Sequence, residues 1–382
     1  MLKRRQFILT GMGSVAGLKT LWHSRALIAG EPQSSRKIPL VHITDLYHPP
    51  QDPDDHIDLA TVAALEEFDL KGVILDVTQK FLDAAPAGFD VARDPGYLPV
   101  AQLASMLGKT IPVACGPRTP LTSPTDSAAD RASAEQGGIH LLLNILEESK
   151  ERVVISMVGS ARIMTAAFNR NPALVRAKTQ SVLLNAGSTA GTKREWNVGL
   201  DLSAYVGVWN SGLPVFWFPC ATERSAFNPD HERGTYWKTS HAVLLKNLQP
   251  SFRAWFRFAL VGDRRGDFIR ALEDVGTPEI WDTILKDSRN MWATASLVLA
   301  AGRVLARTAQ GWRFVPASVA GESDVWPWRM DPIDASIDET GIVRWEVTAE
   351  KGNARLFWRH RGADFGGAMG EALGALLADI RV

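Results

Sequence analysis

The feature that most constrains this chain is a rhythm, in which short apolar runs return between segments of helical periodicity from Ile38 to Pro219. IPLVHIT (38–44), KGVILDV (71–77), IPVAC (111–115), RVVISMV (152–158), TQSVLLN (179–185) and LPVFWFP (213–219) read as strands with little polar alternation. Such strands need cover on both faces. Between them Ile57–Phe68, Leu98–Leu107, Gly137–Ser149, Ser160–Phe168 and Leu202–Asn210 space their apolar residues as helices do. Alternation of this kind predicts right-handed crossovers and an α/β fold, a mainly parallel doubly wound sheet flanked by helices. Ligands of such sheets bind beyond the carboxyl ends of the strands, where the connecting loops begin.

The rhythm stops near Thr235. Helical patterns then dominate, at His241–Leu248, Ser251–Leu260 after the break at Pro250, Asp267–Leu272, Ile280–Leu285 and Trp292–Leu305, and they predict a helical cap region toward the C-terminus. GIVRWEV (341–347) and ARLFWRH (354–360) read as late strands before a closing helix, Phe365–Ile380. With 382 residues, 46% of them hydrophobic, one large domain over 38–382 is expected.

The first thirty residues differ in kind. Lys3, Arg4 and Arg5 precede a mildly apolar run from Phe7 to Leu18 that is too short to span a bilayer as a helix. RRQFI resembles a twin-arginine export signal over 1–30, which implies the twin-arginine machinery as a partner and an exported protein, periplasmic or extracellular. Lys plus Arg balances Asp plus Glu at 42 each, so no global field draws the chain to nucleic acid. Cys115 and Cys220 are far apart and read as buried small residues.

Chemistry concentrates after the first strand. ITDLYHPPQDPDDHIDLA carries Asp45, Asp52, Asp54, Asp55 and Asp58, five carboxylates within fourteen positions. Like charges that close repel unless a cation or buried protons offset them. A hard divalent ion with oxygen ligands would do so, and calcium tolerates irregular loop geometry. A solvated acidic turn, with Asp54 and Asp55 favouring a helix N-terminus, is the other reading.

A strand ending in Thr-Asp, then Asp-Asp opening an apolar helix, then KGVILDV, resembles the inosine/uridine-preferring nucleoside hydrolase family, of which this chain would be a divergent member. VVISMVGSARIMTAAFNRNPALV, TKREWNVGLDLSAYVGVWNSGLPVFWFPC and IPVACGPRTPL are similar to further family segments, so the resemblance spans about 38–220. It implies a calcium-dependent hydrolase of an N-glycosidic, ribosyl-type bond, acting on a small-molecule nucleoside or glycoside by metal-activated water. Asp45 would be both metal ligand and base, with Asp52 as its rival because the loop is about five residues longer than the family's. Asp55, the Val158 carbonyl and Asn290 would complete the calcium site, while Asp54, Gln79, Glu195 and Asn197 would hold the substrate's sugar. Gln79 and Thr189 stand where the family has asparagines. Arg289–Asn290 falls where a His-Asp pair is expected. A guanidinium stays protonated and cannot serve as an acid, though Arg289 could pair with the leaving base.

No independent histidine motif emerges. His48 and His56 flank the acidic loop, and either could protonate a leaving group or simply pack. Among thirteen tryptophans, Trp196, Trp209, Trp217, Trp292, Trp326 and Trp328 could stack on a ligand or fill the core. Two functions therefore stay open, a hydrolase and a catalytically silent nucleoside- or sugar-binding protein; a homo-oligomer is possible for either.

Overall fold

A computed structural model describes residues 36–82, 93–190, 195–223, 225–263, 266–321 and 324–381. The export signal expected over 1–30 lies outside them. The first strand, β1 (Ile38–Thr44), is followed by α1 (Asp54–Ala64), β2 (Phe68–Leu75), α2 (Gln79–Leu82), α3 (Tyr97–Met106) and β3 (Val113–Cys115). Next come α4 (Gly137–Glu148), β4 (Val153–Met157), α5 (Arg162–Arg170), α6 (Pro172–Lys178) and β5 (Thr179–Leu184). The half closes with α7 (Trp196–Leu200), α8 (Leu202–Asn210) and β6 (Val215–Trp217).

These six strands are all parallel to their neighbours and stand in the order β3-β2-β1-β4-β5-β6. The chain winds outward from β1 in one direction and then from β4 in the other. A crevice therefore opens at the carboxyl ends of β1 and β4, where the order reverses. Alternation along the pleat divides the core into two layers. Leu40, Val154, Leu183 and Phe216 face one layer, and Val41, Ile43, Ile155, Met157, Val182, Leu184 and Trp217 face the other. Both faces are dry, which is why these strands read as continuous apolar runs.

The C-terminal half holds the expected helices α9 (His241–Leu245), α10 (Pro250–Leu260), α11 (Pro278–Leu285) and α12 (Thr294–Ala300), together with strands that the sequence pattern hid. β7 (Trp237–Ser240) and β8 (Ser288–Met291) form an antiparallel pair, as do β9 (Arg303–Thr308) and β10 (Gly311–Pro316). The helix expected over Trp292–Leu305 ends at Ala300 because Gly302 takes φ +72°, a left-handed turn that frees the chain to enter β9. β11 (Trp328–Ile337), β12 (Val343–Val347) and β13 (Ala354–Arg359) extend the main sheet. β13 runs parallel to β6, and β11 pairs antiparallel with both β13 and β12, so that among the described residues this sheet has nine strands. Helix α13 (Phe365–Ala378) then packs on β10, α9 and β7. Among the described residues no helix is long and apolar enough to cross a membrane.

Candidate functional site

A cavity of about 310 Å³ opens at the switch point, near the lower end of the roughly 300–1,000 Å³ of small-molecule sites. Its floor comes from the carboxyl ends of three central strands. Asp45 follows β1, Val158 follows β4, and Asn185 follows β5; all three line the cavity. Asp54 and Asp55 enter from the first turn of α1, whose N-terminal dipole favours negative charge there. Thr44, the last residue of β1, donates its hydroxyl to Asp55 Oδ1 at 2.9 Å and fixes that carboxylate's orientation.

Glu195 and Asn197 arrive on α7. Glu195 is the N-cap of that helix, and its Oε1 accepts from the Asn197 N–H at 3.0 Å while Oε2 accepts from the Gly187 N–H at 2.8 Å. It is buried and lines the cavity. Asn197 donates its amide to the carbonyls of Asn185 (2.9 Å) and Val158 (3.4 Å), so it ties the ends of β4 and β5 together.

The electrostatics follow from burial. Asp45 is raised well above the usual carboxylate range by loss of water, then by Asp76, Glu195 and Asp52. Asp55 is raised by burial, Asp45 and Asp54, and Asp54 by burial, Asp52 and Asp58. Asp58, also in the lining, is pushed up to about 8 by burial and Asp52. Asp76, following β2, sits beside this group; its carboxylate accepts from the Ser160 N–H and hydroxyl. Gly159 lies between the two acids, since a Cβ there would come 2.6 Å from Asp76 Oδ2 and 3.3 Å from Asp45 Oδ1.

Such a group of carboxylates needs a cation or protons. The donors fit a hard cation: carboxylates, the Val158 carbonyl, and Asn185 Oδ1, which is buried without a hydrogen-bond partner. Among the described residues no three His, Cys, Asp or Glu side chains stand close enough to hold an ion by themselves, so the carbonyl and amide oxygens matter to any such site.

Three residues expected at the site lie outside the lining, namely Gln79, Arg289 and Asn290. Gln79 opens α2, and its backbone N–H donates to Arg118 O at 3.2 Å. Asn290 sits on β8, where its Oδ1 accepts from the Tyr236 hydroxyl at 2.9 Å. Arg289, on the same strand, donates to Asp52 Oδ1 at 2.7 Å. Thr189 also stands outside the lining.

The wall facing the acids is aromatic. Phe227 and Trp292 line it with their rings 5.5 Å apart, and Tyr236 packs against both. Trp292 Nε1 donates to Ala226 O at 2.8 Å, which fixes the indole. Trp196 lines the cavity while remaining 50% exposed, and Phe227 is 58% exposed, as rings at a mouth are. Trp217 and Trp328 are core residues. Gln51, Asp52, Ala226, Ala293 and Cys220 complete the lining; Cys220 is buried and its thiol is held well above the usual range by loss of water. His56 is wholly buried against Trp255 and lowered to about 3 by burial, and His48 stacks on Phe258 while its Nε2 meets Asp263 O at 2.7 Å. Both pack; neither lines the cavity.

Sequence reasoning passed over Asn185, Phe227 and Gln51. Asn185 carried a usable signal, because it follows its strand as Asp45 follows β1. Phe227 and Gln51 stand in irregular segments without a periodic pattern.

No family model matches the sequence. No curated protein matches it either. In overall chain path it is similar to several nucleoside hydrolases of known structure. The purine-preferring ribonucleoside hydrolase from Gardnerella vaginalis is 12% identical, over 89% of this chain and 99% of that one, with a TM-score of 0.48. The plant nucleoside hydrolase PpNRh1 is 14% identical, over 90% and 99%, with a TM-score of 0.49. The inosine-uridine preferring nucleoside hydrolase from Bacillus anthracis is 14% identical, over 91% and 100%, with a TM-score of 0.44. At those values the likeness decides neither fold nor function, and the cavity carries the functional reading.

Proposed function

We propose that this protein is a calcium-dependent hydrolase of an N-glycosidic, ribosyl-type bond, a divergent relative of the nucleoside hydrolases. One observation carries the reading: Asp45, Asp54, Asp55, Val158, Glu195 and Asn197, chosen on sequence resemblance, converge on one cavity at the switch point of the sheet. Asp45, Asp55 and the carbonyl of Val158 would hold the cation, with Asn185 Oδ1 as a further oxygen donor. Bound calcium would supply Lewis acidity and offset the carboxylate charge.

The remaining chemistry belongs to the side chains. Asp45, which follows β1 and lines the cavity, accepts the proton of the attacking water. Asp52, its rival on sequence grounds, is instead engaged by the Arg289 guanidinium at 2.7 Å. Asp54 and Glu195 accept hydrogen bonds from sugar hydroxyls, and Asn197 orients the sugar through its remaining amide oxygen, so that the anomeric carbon meets the water in line. Trp292, Phe227 and Trp196 offer ring faces to the leaving group. Export through the twin-arginine machinery, to the periplasm or beyond, is part of the same proposal and is supported by Lys3, Arg4 and Arg5 ahead of an apolar run.

A silent nucleoside- or sugar-binding role is favoured by a different observation: among the described residues no His, Lys or Arg lines the cavity to protonate a leaving group. The purified protein should bind calcium in titration calorimetry and release base or sugar from a panel of ribosides. Asp55→Ala should abolish both, with turnover falling by about 10³ or more, as loss of a charge-stabilising group does. Calcium and riboside binding without release across the panel would favour the silent binder, and no calcium binding at all would sink the metal-dependent reading.

A further inference from the structure

Six carboxylates line one cavity, Asp45, Asp52, Asp54, Asp55, Asp58 and Glu195. Calcium accepts six to eight oxygen ligands, so it would recruit any carboxylate free to swing toward it. Asp52 is placed to do so, two residues from Asp54 in the loop between β1 and α1, yet it is restrained from outside the loop. Arg289, 237 residues away on β8, donates Nη1 to Asp52 Oδ1 at 2.7 Å, a charge-assisted contact.

Arg289 is itself fixed. A guanidinium has donors only, so where its Nε stands 3.3 Å from His241 Nε2, that imidazole nitrogen must accept. His241 Nδ1 then carries the proton and donates to Ile284 O at 3.0 Å, which sets the buried ring as a neutral acceptor. Asp287, 3.7 Å from Nη2, holds the far side of the fork. Asp52 Oδ1 is thus committed to Arg289 at 2.7 Å and accepts a longer contact from the Asp54 N–H at 3.5 Å, while the side chain lines the cavity beside the Asp54 carboxyl, with which it also hydrogen-bonds.

We propose that the Arg289–Asp52 ion pair withholds Asp52 from the cation and reserves it as a specificity-determining carboxylate, accepting a hydrogen bond from a donor group of the substrate. Arg289 is then a positioning residue and not a contact to the leaving base. The inference rests on the reading of the cavity as a calcium-dependent riboside site.

The test is a double-mutant cycle read by calcium calorimetry, with calcium chloride alone, and by steady-state kinetics on ribosides; ribose affinity replaces KM where turnover is too slow. Asp52→Asn should raise KM about tenfold or more, as losing a hydrogen bond to a charged group does, with a smaller effect on kcat and calcium affinity within about threefold of wild type. Arg289→Met should raise KM similarly and also tighten calcium at least about threefold, because the released carboxylate joins the ion. Arg289→Lys should recover part of the KM loss. In the double variant the effect of Arg289→Met should vanish. An Asp52→Asn protein that loses calcium as Asp55→Ala does makes Asp52 a ligand and overturns the inference alone. So does an Arg289→Met effect that is undiminished when Asp52 is already Asn. A wild-type protein that binds no calcium instead refutes the site reading, and this inference with it.

Discussion

The floor of the cavity and its wall are built by different halves of the chain and by different rules. The floor belongs to β1, β4 and β5, where one residue beyond the carboxyl end of each strand, Asp45, Val158 or Asn185, points into the crevice. Their spacing is imposed by the parallel ladder, which pairs Ile43 with Met157 and Met157 with Leu184. The wall belongs to irregular segments and to the β8–α12 connection, which bring Phe227 and Trp292 against the acids. A ladder fixes a carboxylate through the sheet's own hydrogen bonds, whereas an aromatic wall needs only area and edge contacts. Charge chemistry should therefore be sensitive to small changes on the floor, and the wall should tolerate change and tune affinity.

The largest break in that contrast should come from a single methyl group on the floor. Gly159 follows Val158 where a side chain would press into Asp76 and Asp45, and Asp76 cannot yield easily because Ser160 holds both of its oxygens. Gly159→Ala should lower calcium affinity and kcat/KM by about 10²-fold, since a misplacement near 1 Å costs that much in a positioned site. Calorimetry and kinetics on the folded variant decide it; unchanged values would mean that the floor is softer than the packing implies.

Truncation of the wall should do less and do it differently. Trp292→Ala removes a ring that lines the cavity and meets Phe227 and Tyr236. Aromatic contacts of this kind are worth about 0.5–1.5 kcal/mol beyond their buried area, so KM should rise about tenfold, with calcium affinity unchanged and kcat nearly so. A fall in calcium affinity would erase the distinction between the two regions.

The same division explains what could be read in advance. Runs such as RVVISMV and TQSVLLN are buried on both faces, so their sequences announce strands and the residue after each is marked by position. Asp45 stands out because it follows such a run, and Asp54 and Asp55 because they crowd the same loop, whereas Glu195 is reached only through the family resemblance. β7 and β8, WKTS and SRNM, are short and polar and announce nothing; β11, WRMDPIDASI, carries a proline and two acids. With β8 hidden, Asn290 and Arg289 could be placed only by resemblance. Neither lines the cavity: Asn290 meets Tyr236, and Arg289 reaches Asp52, which does line it.

The smallest effect is also the most direct measure of the floor's charge. Burial and mutual repulsion raise Asp45, Asp54 and Asp55, and take Asp58 to about 8. Unfolding returns each to the ordinary value near 3.8. Between those limits the folded protein binds more protons than the unfolded chain, so these groups contribute stability that is present below about pH 4 and lost as pH rises toward 8. On the proposed reading calcium would bind the ionised carboxylates and offset that loss. The rise in Tm produced by a fixed calcium concentration should therefore be small at pH 5 and grow steadily toward pH 8, each pKa unit being worth about 1.4 kcal/mol. Asp55→Asn should flatten the growth, whereas Trp292→Ala should leave it intact, because the wall carries none of the charge. A calcium shift that is equal at both ends of the range, or larger at pH 5, would show that the acids of the floor are not what the ion compensates.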